Sequence, residues 1–116
     1  MLSKAALAQN ARFKIGWIVL LVIDILLTLN HFMLIFVLDE PNLFIGFTLF
    51  NLYALLILLI PFRRGETWAW LVTWLLPIGL ALPASIDPNI AVFYYGAATV
   101  CALGLLLTRQ DFFSKG

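Results

Sequence analysis

Read for polarity alone, the chain is four long apolar runs separated by three short polar breaks. The runs cover residues 15–38, 42–62, 67–86 and 89–108. The breaks are Asp39-Glu40-Pro41, Arg63-Arg64-Gly65-Glu66 and Asp87-Pro88. An α-helix rises ~1.5 Å per residue, so a run of about 20 residues crosses the ~30 Å hydrocarbon layer of a bilayer. Charge, glycine and proline at each break are the signals that end one helix and start the next. Connections this short predict an all-α, antiparallel up-down-up-down four-helix bundle in the membrane, one domain over residues 1–116.

Composition agrees with that pattern. Of 116 residues, 64% are hydrophobic and 11% charged, with a mean hydropathy of +1.05. A soluble domain of this size buries too small a fraction of its chain to hide so much apolar surface. The first run is longer than the apolar core of a secretory signal, and no small-x-small cleavage site follows it, so it is expected to be retained as a helix.

Charge adds an orientation. Lys4, Arg12, Lys14, Arg63, Arg64, Arg109 and Lys115 all fall on one predicted side, and the opposite breaks carry Asp39, Glu40 and Asp87. Basic residues stay on the cytoplasmic side, which predicts both termini inside, in a bacterial inner (plasma) membrane. Aromatic residues cluster at both boundaries: Trp17, Phe62, Trp68 and Trp70 at the basic one, Phe36, Phe44, Phe93, Tyr94 and Tyr95 at the acidic one. Residues 2–11, rich in alanine, are expected to form a short helix along the basic interface. A formal net charge of +1 gives no electrostatic footprint for nucleic acid.

Candidate chemistry lies inside the runs. Asp24 sits in the middle of the first, where an aspartate costs about 2.5–3.5 kcal/mol on insertion, so its carboxyl is expected to face the bundle, protonated or hydrogen-bonded. Thr28 at i+4 and His31 at i+7 share its face, whereas Asn30 points elsewhere. At 1.5 Å per residue Asp24 and His31 stand ~10 Å apart along the axis, too far for direct contact. Matching depths between runs brings Asn51, Thr73 and Thr99 near the level of Asp24, with Thr48 near His31. The predicted interior cluster is therefore Asp24, Thr28, Asn51, Thr73 and Thr99, with His31 and Thr48 above it. Such a cluster serves either as interhelical glue or as a protonatable site.

Other features shape the bundle. Pro77 is expected to kink the third run near Thr73. Gly96, Ala98, Ala102 and Gly104 place small residues on the fourth, which suits either the bundle's own seam or an oligomer interface. A single cysteine, Cys101, excludes an intramolecular disulfide and a thiolate metal site, and is expected to be a packing residue. No cofactor or metal is expected.

In size, run count and an acid in the first helix, the chain resembles the small multidrug resistance transporters, which pump cations with a first-helix glutamate. That resemblance implies the role for Asp24 and makes Trp17, Trp68 and Trp74 candidate cation-binding rings. The acid here is aspartate, in the local sequence Val22-Ile23-Asp24-Ile25-Leu26-Leu27-Thr28. The segment Arg63-Arg64-Gly65-Glu66-Thr67-Trp68-Ala69-Trp70 resembles a loop of small four-helix bacterial membrane proteins of unknown function.

Three functions follow from these features. With almost no mass outside the bilayer, no metal cluster and no nucleophile beside a base, the first expectation is a non-enzymatic accessory or helix-packing subunit. Its partners would be the bilayer and other copies or proteins. A proton- or cation-coupled transporter centred on Asp24 is the second. An intramembrane lipid-modifying enzyme with Asp24 and His31 as acid and base is the third, and the separation of that pair opposes it.

Overall fold

A computed structural model describes residues 11–113; the expected interfacial segment over residues 2–11, save Ala11, and Lys115 lie outside that range. All secondary structure among the described residues is helical: α1 (Ala11–Val37), α2 (Pro41–Ile57) running into a π-helical turn (Leu58–Phe62), α3 (Thr67–Thr73), α4 (Leu75–Ile86) and α5 (Pro88–Phe113). Taken with the π turn, and with α3 and α4 as one span, they make four helices long and apolar enough to cross a membrane.

The helices outrun the apolar sequence at their polar ends. α1 already includes Arg12 and Lys14, and α5 continues through Arg109 to Phe113, because a helix has no reason to stop where hydrocarbon does. Pro41 and Pro88 occupy first helical positions, which suit a residue with fixed φ and no N–H. Asp87 both ends α4 and caps α5, accepting from the Asn89 N–H at 3.0 Å. At the basic break Gly65 takes φ 77°, the left-handed value that stops a helix cheaply when no side chain is present.

Pro77 has no N–H to offer the Thr73 carbonyl, and the third span is interrupted at Trp74, between α3 and α4. The Thr73 hydroxyl turns back to the Ala69 carbonyl at 2.6 Å.

Packing follows one stripe on each long helix. On α1 the buried positions are Phe13, Gly16, Leu20, Asp24, Leu27 and His31, and on α5 they include Tyr94, Ala98, Cys101, Leu105, Thr108 and Phe112. Both sets step by three and four residues, the spacing of a seam between helices. α1 packs along α2 and α5, and α4 packs along α5. The second and third spans touch only lightly, mainly where the π turn meets α3.

At the basic end the rings of Phe13, Phe62 and Phe112 gather with centroids 4.8 to 5.9 Å apart. Indole N–H groups tie helices together there: Trp17 donates to the Leu58 carbonyl at 2.8 Å, and Trp70 to the Leu105 carbonyl at 2.9 Å. A Cβ on Gly16 would stand 2.7 Å from the Gly104 carbonyl oxygen, so α1 and α5 meet backbone to backbone. Of the small residues on the fourth span, Gly104 thus serves the bundle's own seam, Ala98 is buried, Ala102 is half-buried and Gly96 faces open space.

Candidate functional site

The buried stripe of α1 carries two polar side chains, and both find α2. Asp24 is 0% exposed, and one of its carboxyl oxygens, Oδ1, accepts from Asn51 Nδ2 at 3.2 Å. The other face of the Asn51 amide, Oδ1, meets His31 Nδ1 at 2.6 Å. His31 Nε2 meets the Tyr94 hydroxyl on α5, also at 2.6 Å. A single asparagine thus spans the two turns of helix between Asp24 and His31, and the four side chains form one hydrogen-bonded chain across three helices. The second carboxyl oxygen, Asp24 Oδ2, is buried without a hydrogen-bond partner among the described residues. An unpartnered buried polar atom is costly, and more so in a hydrocarbon solvent.

His31 is also packed by rings. Phe47 and Phe44 lie 5.2 and 6.3 Å from it by centroid, and Tyr94 meets it edge-on at 6.0 Å. Beside the imidazole is a cavity of about 20 Å³ whose walls include His31, Asn51, Tyr94, Phe50 and Gly79. That volume exceeds the ~10–15 Å³ that one water needs, and three polar side chains face it. Gly79 keeps α4 close to Phe50 there: a Cβ on it would lie 3.3 Å from the ring.

Next to the cavity, at the acidic end, is a larger space. A vestibule of about 850 Å³ opens between the ends of α1 and α4 and the starts of α2 and α5, with Asp39, Glu40 and Asp87 on its walls among leucines, isoleucines and Phe44. Phe47, Pro83 and Tyr94 belong to the walls of both spaces. The vestibule exists because the second and third spans do not close on each other. Towards the basic end, Leu20, Leu58, Leu105 and Phe62 fill the interior at 0% exposure.

The threonines behave differently from the cluster read from sequence. Thr28 donates to the Asp24 main-chain carbonyl at 2.7 Å, Thr48 to the Phe44 carbonyl at 2.7 Å, and Thr99 to the Tyr95 carbonyl at 2.8 Å. Each, like Thr73, satisfies its hydroxyl on a main-chain carbonyl of its own helix, and none bonds the side chain of Asp24, Asn51 or His31. Thr99 lies on an exposed face of α5, outside the interior. Equal depth did not imply equal facing: the buried stripe of α5 passes through Ala98 and Cys101, and Thr99 falls beside it.

Of the seven residues singled out from sequence, Asp24, Asn51 and His31 come together, and the four threonines remain at their periphery or beyond. The missed member is Tyr94, read as an interfacial ring. Its signal was its place in the 94, 98, 101, 105, 108 stripe of α5, which turns its hydroxyl inward. The tryptophans do not surround Asp24. Trp17 lies under the Arg63 guanidinium at 5.5 Å, Trp68 donates to Glu66 Oε1 at 3.1 Å, and Trp74 packs edge-on against Trp70. None of the three lines the cavity or the vestibule.

Among the described residues no group of three or more His, Cys, Asp or Glu side chains is placed to hold a metal. The site offers instead two protonatable groups, an amide bridge and a phenol at the wall of an acidic vestibule. Compared with known proteins, the chain matches no family model, no curated protein sequence and no solved structure.

Proposed function

We propose that this protein is a non-enzymatic, proton- or cation-coupled carrier, in which Asp24 binds and releases the coupling ion through the vestibule at the acidic end. The observation that carries this reading is the unbroken chain from Asp24 through Asn51 and His31 to Tyr94, which ends on the vestibule wall. An interior acid with one oxygen unpartnered is an expensive choice for helix packing, and such acids mark ion pathways in membranes. Three carboxylates at the mouth would concentrate cations there.

The topology that goes with this function is an antiparallel bundle with both termini cytoplasmic. Contacts of α1 with the second span support it, since residue numbers run oppositely along them: 13 with 62, 17 with 58, 24 with 51, 31 with 47. Basic residues at one end and acidic ones at the other support the orientation, with the vestibule facing outward. We assign the bacterial inner membrane, on the resemblance of the Arg63–Trp70 segment to loops of small bacterial membrane proteins.

The test is proton movement in pyranine-loaded liposomes carrying the purified protein, after a pH jump with potassium, sodium or tetraphenylphosphonium supplied in turn. At least one cation should give a proton flux above that of protein-free liposomes, and Asp24→Asn should abolish it. No flux with any of them, or flux unchanged in Asp24→Asn, would overturn the reading.

One observation favours a second function, an accessory subunit. The sparse contact between the second and third spans leaves a seam that another membrane helix can fill, and Gly96 offers a bare stretch of α5 for self-association. An accessory subunit would be inert in liposomes, and its association would survive Asp24→Asn.

A further inference from the structure

The chain of four side chains has a property that no single member has. Each of its three links needs one donor and one acceptor, and the amide of Asn51 carries one of each at its two ends. Two arrangements of a neutral histidine satisfy all three links and leave no Asp24 O–H without an acceptor; an acid proton kept on Oδ2 would be buried unbonded, since that oxygen has no partner among the described residues.

In the first, Asn51 Nδ2–H donates to an ionised Asp24, Oδ1 accepts from His31 Nδ1–H, and the bare Nε2 accepts the Tyr94 O–H. In the second the amide is turned over. Asp24 carries a proton and donates it to Asn51 Oδ1, Nδ2–H donates to a bare His31 Nδ1, and Nε2–H donates to the Tyr94 oxygen. The arrangements differ by one proton, the one on Asp24. His31 keeps a single ring proton, moved from Nδ1 to Nε2, and Tyr94 keeps its own.

Tyr94 is changed by this, although it touches neither Asp24 nor Asn51. In the first arrangement its O–H is spent on His31, and only its lone pairs remain for the vestibule. In the second its lone pair is engaged and its O–H is free. We infer that Asn51 is a switch that converts the protonation of Asp24 into the hydrogen-bonding sense of Tyr94, which accepts from a vestibule occupant when Asp24 is ionised and donates to one when Asp24 is protonated. The occupant favoured by the ionised state is a hydrogen-bond donor such as an ammonium, and a proton on Asp24 expels it without touching it. This inference rests on the proton-coupling reading above and supplies its coupling step.

The surroundings suit the switch. The cavity beside His31, Asn51 and Tyr94 has space for one water-sized molecule, which gives the amide room to turn and the ring an exchange partner. A third arrangement, imidazolium with ionised Asp24, holds the same number of protons as the second. It separates two charges in an apolar interior, which the second avoids. Among the described residues, the titratable groups of α5 that face the chain are Tyr94 itself and Cys101, which interacts electrostatically with Asp24. α2 and α4 line the cavity with no titratable side chain, and Asp39, Glu40 and Asp87 stand at the vestibule wall.

His31 is the only histidine in the chain, so histidine ¹⁵N labelling of the whole protein in lipid nanodiscs reads one ring. The switch requires Nδ1–H at alkaline pH and Nε2–H at acid pH. Asp24→Asn should freeze the tautomer across the range, and Asn51→Leu should uncouple it, with circular dichroism confirming helix content in both. Tyr94→Phe, which leaves the Asp24–Asn51–His31 links intact, should keep the tautomer change. A single tautomer at every pH, or an imidazolium with both nitrogens protonated on acidification, would overturn the switch. A tautomer change in protein that carries no proton flux would sink the transport reading alone. A fixed tautomer with flux intact would sink the switch alone.

Discussion

The two ends of this bundle are built from similar apolar residues and pack in opposite ways. At the basic end, the rings of Phe13, Phe62 and Phe112 pack together, two indoles donate to main-chain carbonyls of neighbouring helices, and Gly16 brings α1 against α5. At the acidic end the second and third spans part, a vestibule enters between them, and the interior carries hydrogen-bonded polar groups. One end is a clamp that can hold four helices together with little help. The other is thereby free to be loose and polar. In a bilayer this division is economical, because apolar side chains gain nothing from leaving lipid and only close packing or hydrogen bonds join helices.

The comparison can be broken most severely at the clamp. Phe62→Ala removes a ring buried between two others and should cost about 3–5 kcal/mol of stability, read by unfolding in mixed detergent. Gly16→Ala should cost about 1–3 kcal/mol by the same measurement, since the new methyl meets the Gly104 carbonyl and the Thr108 methyl, neither able to retreat cheaply. At the loose end the stakes for stability fall. Tyr94→Phe removes one interhelical hydrogen bond and should cost about 0.6–1.7 kcal/mol, while it removes the hydroxyl from the wall shared by cavity and vestibule. Gly96→Ala, on the same helix as Gly104 but with nothing within 4 Å of the added methyl, should change stability by less than about 0.5 kcal/mol. A Gly96 effect as large as that of Gly16 would show that the open face of α5 is covered by another copy.

Much of the helix framework is legible in the sequence, because length and hydropathy suffice to find apolar helices. The Trp74 interruption lies within reach too, since Pro77 must release the Thr73 carbonyl. The candidate site is legible only in part. Asp24, Asn51 and His31 stand out as polar residues in apolar runs. Their depths do not reveal that the Asn51 amide faces both neighbours, nor that Tyr94 turns inward. The threonines misled for a physical reason: a hydroxyl can satisfy itself on its own helix four residues back, and so its presence says nothing about facing. The parting of the second and third spans has no sequence signal that we can identify.

The most direct test of the central claim is whether Asp24 exchanges a proton with solution. Infrared difference spectra of the protein in bilayers, wild type against Asp24→Asn, isolate the carbonyl stretch of the Asp24 carboxylic acid. A band that appears on acidification and vanishes on alkalinisation is the predicted result. A band that stays constant, or never appears, would make the buried acid a fixed structural element and contradict the account.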